Sequence, residues 1–216
     1  MGTKLNLSGV VSESIVDGPG IRMTIFTQGC PHHCKGCHNP ETWSFEPRHP
    51  GDVDKILAIA VKNPILQGLT FSGGEPFCQA EALAELAEKC HENGLNVMSY
   101  TGYTFEQLVE GFDEHPEWKR LLENCDYLVD GRFELEQRSL MLLFRGSRNQ
   151  RFLDVPESLR QGKAVSVNEE TLYDGTRTRH CNTQNTVFVT VFFTIDFRKS
   201  YALFRRQARA CRRCRR

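Results

Sequence analysis

A mixed α/β fold built on a parallel sheet is predicted for this 216-residue chain from three observations. Strand-like apolar runs alternate with helical spacings four times over about 110 residues, the signature of βα units. Loops rich in Gly, Cys and Asp follow the strand-like runs. A hydrophobic share of 39% in a chain of this length supports one domain with a real core and not two full-sized ones. Right-handed crossovers wind such units into an open, incomplete barrel or a doubly wound sheet. In either arrangement ligands gather at the carboxyl ends of the strands.

Residues 5–15 alternate weakly and read as an edge strand. Asp17-Gly18-Pro19-Gly20 is a turn signal, and residues 21–27 (IRMTIFT) read as a strand. Residues 29–43 (GCPHHCKGCHNPETW) have neither period and form a loop. Residues 52–63 place apolar side chains at 53, 56, 57, 60 and 61, a helical spacing. A short buried strand is predicted at 68–72 (GLTFS), followed by Gly73-Gly74-Glu75-Pro76. The Ala- and Leu-rich stretch 79–92 reads as a helix stopped by Gly94. A strand at 95–100, short helices at 104–110 and 116–124, and a strand at 126–130 complete the pattern. The cysteine loop, the GGEP loop, Tyr100-Thr101-Gly102-Tyr103 and Asp130-Gly131-Arg132 therefore all follow strand ends.

The formal net charge is zero, but residues 198–216 hold nine Arg or Lys and no acid. The rest carries 18 basic against 27 acidic side chains, which argues against a nucleic-acid footprint. No apolar run approaches the roughly 20 residues of a membrane helix. The start has no signal-like apolar core, so a cytoplasmic location is expected.

There are nine cysteines, an odd count, at 30, 34, 37, 78, 90, 125, 181, 211 and 214. In a chain expected in the cytosol they point to metal or redox chemistry rather than disulfides. Cys30-x3-Cys34-x2-Cys37 concentrates three thiols in eight residues. The spacing favours an Fe–S cluster, with one iron left open for a substrate. Zinc completed by His32, His33 or His38 stays open at this point.

With Gly-Gly-Glu-Pro after the next strand, this loop resembles the radical S-adenosylmethionine (SAM) superfamily. A narrower resemblance covers about residues 5–165 and reaches the activating proteins of the anaerobic (class III) ribonucleoside-triphosphate reductase. It is carried by DGPGIR (17–22), GCPHHCKGCHNPETW (29–43), FSGGEPF (71–77), YTGY (100–103), VDGRF (129–133) and FRGSRNQ (144–150). No cysteine falls between 38 and 72, so the ferredoxin-like insertion of other activating enzymes is absent.

The resemblance implies an open partial (β/α) barrel of the radical SAM type over residues 1–165. It implies one [4Fe–4S] cluster on Cys30, Cys34 and Cys37, with SAM as cosubstrate on the open iron. A one-electron donor of flavodoxin type reduces the cluster. Reductive cleavage of SAM yields a 5′-deoxyadenosyl radical, which takes a hydrogen atom from a glycine of the reductase and leaves a glycyl radical. No residue is expected to act as a catalytic acid or base, since the cofactors carry the chemistry.

Gly36, Cys37 and His38 match positions that lie against SAM. Gly73 and Gly74 are expected to present backbone to its amino group. Glu75 reads equally as a SAM contact or as an acid at a helix N-terminus. Asp130 and Arg132 resemble an Asp-x-Lys pair near the ribose and carboxylate of SAM, or form a surface ion pair. Arg22 and Arg145 contact SAM or the reductase, or make structural ion pairs. His32 and His33 are expected on a solvated loop, Trp43 and Tyr103 in packing, and Cys78, Cys90 and Cys125 as small buried apolar residues.

Residues 166–216 are expected to be an extension outside the family pattern, with a β-prone run at 186–197 and a basic, poorly ordered end. Cys211-x2-Cys214 also reads as half a zinc site completed by His180 or Cys181. A radical SAM enzyme acting on another glycyl radical enzyme or on a small molecule is the second functional expectation. A non-catalytic zinc or Fe–S module is the third.

Overall fold

The computed structural model describes residues 3–172. The expectations for 186–197, His180, Cys181, Cys211, Cys214 and the basic end lie outside those residues. The described chain forms one seven-stranded open sheet in the order β3-β1-β2-β4-β5-β6-β7. The strands are β1 (Lys4–Ser14), β2 (Arg22–Thr27), β3 (His49–Asp52), β4 (Gly68–Gly73), β5 (Asn96–Tyr100), β6 (Tyr127–Asp130) and β7 (Arg151–Asp154). β2, β4, β5 and β6 are parallel, whereas β1, β3 and β7 pair antiparallel with their neighbours. Among the described residues no helix is long and apolar enough to cross a membrane.

The helices are α1 (Val53–Val61), α2 (Ala80–Glu92), α3 (Phe105–Glu110), α4 (Pro116–Glu123) and α5 (Val155–Gln161). The strand period of two splits the sheet's side chains between its faces. Met23, Ile25, Leu69, Phe71, Val97, Leu128 and Leu153 enter the main core with Leu83, Leu86, Leu108, Leu121 and Leu122 of the helices. Their alternates Thr24, Thr70, Met98 and Val129 are also buried. The face opposite the helices is therefore part polar, with a small apolar cluster of Met98, Val129 and Phe152 at the β7 side.

The turn at 17–20 closes one end of that polar face. Thr70 Oγ1 donates to the Asp17 carbonyl at 2.8 Å, and a Cβ on Gly18 would lie 2.7 Å from Met98 Sδ. Arg22 fills the same end and is fully buried. It donates to Thr70 Oγ1 (2.7 Å), Asn96 Oδ1 (2.5 Å), and the Leu69 (2.5 Å) and Pro19 (3.1 Å) carbonyls. Burial draws its pKa down to about 10. Arg22 sits at the start of β2, the end opposite the cysteine loop, and bonds to neutral oxygens. It is thus neither a SAM or reductase contact nor half of an ion pair. Replacing it with leucine strands several buried acceptors and is expected to cost about 3 kcal/mol, measured as urea stability of the cluster-free protein.

The sequence misplaced the sheet edge. β1 is internal, because β3 pairs along it from Lys4↔Asp52 to Leu7↔His49. The HPGD sequence of β3 has no strand-forming residue, and its backbone takes this form only through β1. β7 and α5 were also not foreseen. α5 nonetheless has ordinary end signals: Asp154 accepts from Glu157 N–H, Pro156 sits in its first turn, and Gly162 ends it at φ 66°.

His91, in the last turn of α2, hydrogen-bonds Asp126 at 2.9 Å, and this bond raises its pKa. A raised folded-state pKa stabilises fully below the unfolded value and fades as pH rises through the folded one. Both side chains are over a third exposed, so the effect is a few tenths of a kcal/mol. The melting temperature is expected to fall slightly more from pH 6 to pH 8 in the parent than in His91→Gln.

Candidate iron–sulfur and cosubstrate site

The four loops singled out in the sequence follow β2, β4, β5 and β6, which are adjacent and parallel. They therefore share one rim and are laced together there. Gly74 N–H donates to the Thr27 carbonyl (2.9 Å) and Glu75 N–H to the Gly29 carbonyl (2.8 Å). Thr101 N–H bonds the Val129 carbonyl (2.9 Å), and Gly131 N–H the Tyr103 carbonyl (2.9 Å).

The cysteine loop folds back on itself. Gly29 and Cys30 N–H groups donate to the Thr42 and Trp43 carbonyls at 2.8 and 3.2 Å. Gln28 Nε2 holds the Glu41 and Ser44 carbonyls at 3.2 and 2.7 Å. Cys30 is buried, and Cys34 and Cys37 are half-buried. The Asn39 N–H donates to the Cys37 sulfur at 3.4 Å, and the backbone N–H groups of His32 and His33 favour the thiolate of Cys30, that of Phe133 the thiolate of Cys34. Such bonds stabilise cluster-bound thiolates and tune the cluster's potential. Burial pushes Cys30 up to about 11 and raises Cys34, so ligation there displaces protons. Among the described residues no three His, Cys, Asp or Glu side chains stand close enough to hold a single metal ion. Three thiols on one loop, one buried and two half-buried, with the Asn39 N–H on the Cys37 sulfur, fit a cluster held at three corners.

The two glycines after β4 answer to the chain's own backbone. A Cβ on Gly74 would lie 2.3 Å from the Gly29 oxygen. Gly73, at φ +92°, would place one 2.7 Å from Phe26 Cα and Thr27 N. Gly36, at φ +76°, turns the loop beneath Leu135. The His38 ring packs 5.1 Å from that of Phe133, and burial lowers its pKa.

Glu75 is fully buried and caps the 3-10 turn Pro76–Gln79 through the Phe77 N–H at 3.0 Å. Its other oxygen takes the Gly102 N–H and His32 Nε2, each at 2.8 Å. His32 is therefore not on a solvated loop: its side chain is 4% exposed, whereas His33 is exposed. Asp130 is also buried, and its partner is Arg151 (3.0 and 2.5 Å), with the Phe105 N–H at 2.7 Å. The surface pair with Arg132 is not formed. Arg132 is exposed, and its charge favours the thiolate of Cys34. Arg145 binds Glu169. Cys78 is exposed rather than buried, while Cys90 and Cys125 are buried as expected.

Sequence reasoning placed the loops holding His32 and Gly102 on this rim but not the contact between them, and it missed Arg151. It also gave no role to Asn149 and Gln150, which hold the Arg132 and Gly131 carbonyls at 2.8 and 2.9 Å.

Fold and site together define a class: an open α/β sheet with a three-cysteine loop at the carboxyl ends of its parallel strands. The family model for the 4Fe-4S single cluster domain matches residues 16–153, from the turn before β2 into β7. The chain is 38% identical over 146 residues to the anaerobic ribonucleoside-triphosphate reductase-activating protein of Vibrio cholerae, covering 63% of this chain and 89% of that protein. Identity to its counterpart in Haemophilus influenzae is 32% over 147 residues, with the same coverage of 63% and 89%. A pyruvate formate-lyase-activating enzyme of Staphylococcus aureus is 38% identical over 132 residues, 58% of this chain and 52% of the enzyme. The chain belongs to the family of anaerobic ribonucleoside-triphosphate reductase-activating proteins, within the 4Fe-4S single cluster domain family.

Proposed function

We propose that this chain activates an anaerobic ribonucleoside-triphosphate reductase by installing a glycyl radical on it. The observation that carries this is the three-cysteine loop, set on one rim with the Gly73-Gly74 loop in a chain that spans 89% of a reductase-activating relative. The open sheet is read as a partial (β/α) barrel of the radical SAM type, with its polar face as the interior. Residues 1–165 carry the chemistry and 166–216 extend it.

Cys30, Cys34 and Cys37 hold the [4Fe–4S] cluster. The chemistry this group supplies when bound is one-electron reductive cleavage of SAM, ending in hydrogen-atom transfer from a reductase glycine. Gly36, Cys37, His38, Gly73 and Gly74 line the cosubstrate's place, and Arg132 brings a cation to its carboxylate side. Glu75 and Asp130 act from beneath: their oxygens are engaged by the chain's own donors, so they shape the rim. A flavodoxin-type electron donor and a cytoplasmic location rest on the family resemblance and the sequence alone.

The test is anaerobic reconstitution with iron and sulfide, then incubation with SAM, reductant and the cognate reductase. The expected result is a brown protein that releases 5′-deoxyadenosine and produces a glycyl doublet by electron paramagnetic resonance (EPR). A colourless protein, or SAM cleavage with no doublet, would overturn the assignment.

A further inference from the structure

Three loops of the rim meet at one carboxylate. Glu75 takes the Phe77 N–H on one oxygen (3.0 Å) and both the Gly102 N–H and His32 Nε2 on the other (2.8 Å each). The pair is closed to water, at 4% side-chain exposure for His32 and 1% for Glu75. Tyr103 sets its ring edge against His32, with centroids 4.6 Å apart. The His32 ring also occupies the space a side chain at 102 would need, since a Cβ on Gly102 would lie 2.2 Å from His32 Cδ2. His32 stands between two cluster cysteines, yet its Nε2 is directed away to Glu75.

We propose that His32 is a positioning residue: through Glu75 it sets the register of the cysteine loop against the loops after β4 and β5, and so fixes where the open iron faces the amino-acid end of SAM. This rests on the cluster chemistry proposed above. Glu75 keeps two backbone donors when His32 is removed, so the carboxylate stays in place and the cysteine loop loses its side-chain tie to it. The cluster is then retained while its alignment with the cosubstrate is lost.

The experiment uses the reconstituted full chain and reads iron content, SAM affinity by equilibrium binding, and the change SAM causes in the EPR spectrum of the reduced cluster. His32→Ala is expected to keep its iron, to bind SAM about 10-fold more weakly, the low end for a partner just outside a metal site, and to lose most of the SAM-induced spectral change. His32→Gln, whose amide reaches toward Glu75, is expected to restore most of both. Gly102→Ala leaves His32 and Glu75 intact but displaces the ring, and is expected to behave like His32→Ala. Parent-like SAM affinity and spectral change in His32→Ala or in folded Gly102→Ala would overturn the proposal. So would equal loss of iron from His32→Ala and His32→Gln. A parent protein that neither takes up iron nor cleaves SAM would instead sink the proposed function.

Discussion

Serine at Cys30, Cys34 or Cys37 is expected to strip the reconstituted protein of most of its iron and to lower deoxyadenosine release by more than about 100-fold, beyond the cost of losing a partner outside the ligand shell. In the proposed site each thiolate holds one corner of the cluster, and the Cys37 sulfur accepts the Asn39 N–H at 3.4 Å. Serine keeps the size but not the soft ligand, and its hydroxyl does not ionise at neutral pH. Cys90 and Cys125 are buried in the helical layer, and Cys78 lies exposed on the turn before α2. Serine at Cys78 is therefore expected to leave iron content unchanged. Iron assay and visible absorbance of the anaerobic protein distinguish the two groups, and equal loss at Cys78 would remove the special status of the loop.

Alanine at Gly74 is expected to be the most damaging single methyl group in the rim. The added Cβ meets the Gly29 oxygen at 2.3 Å and the Gly29 carbon at 2.9 Å, both backbone atoms that cannot rotate aside. The loop must part, giving up the bonds from Gly74 N–H to Thr27 and from Glu75 N–H to Gly29. Overpacking plus two lost hydrogen bonds amounts to about 3 kcal/mol or more. Alanine at Gly9, which has nothing within 4 Å of its Cβ position, is expected to change stability by less than about 0.5 kcal/mol. Denaturant titration of the cluster-free proteins gives both numbers. A Gly74→Ala protein as stable as Gly9→Ala would mean that the two loops do not touch as described.

The strands and helices that bury continuous or periodic apolar residues were legible in the sequence. Leu69, Phe71, Val97, Leu83 and Leu86 declare their elements by their own chemistry. β3 and β7, four residues each, were not legible, because their partners impose their extended form. In the site, the cysteine loop was legible as a loop at a strand end because residues 29–43 carry neither a helical nor a strand period. Arg22 and His32 were misjudged for a shared reason. A long or aromatic polar side chain can be fully buried wherever the fold supplies acceptors, and sequence does not show which oxygens will be near. Asp130 was placed at the right strand end, but its surface pair with Arg132 does not form, since Arg151 reaches it across the β6–β7 pairing from 21 residues away.

The packing of the His32 ring into the gap left by Gly102 ties the evolutionary freedom of two distant positions. A relative that exchanges this imidazole for a smaller group releases position 102 to accept a methyl. One that keeps the ring must keep hydrogen there. Among relatives, substitutions at these two sites should accordingly travel as a pair.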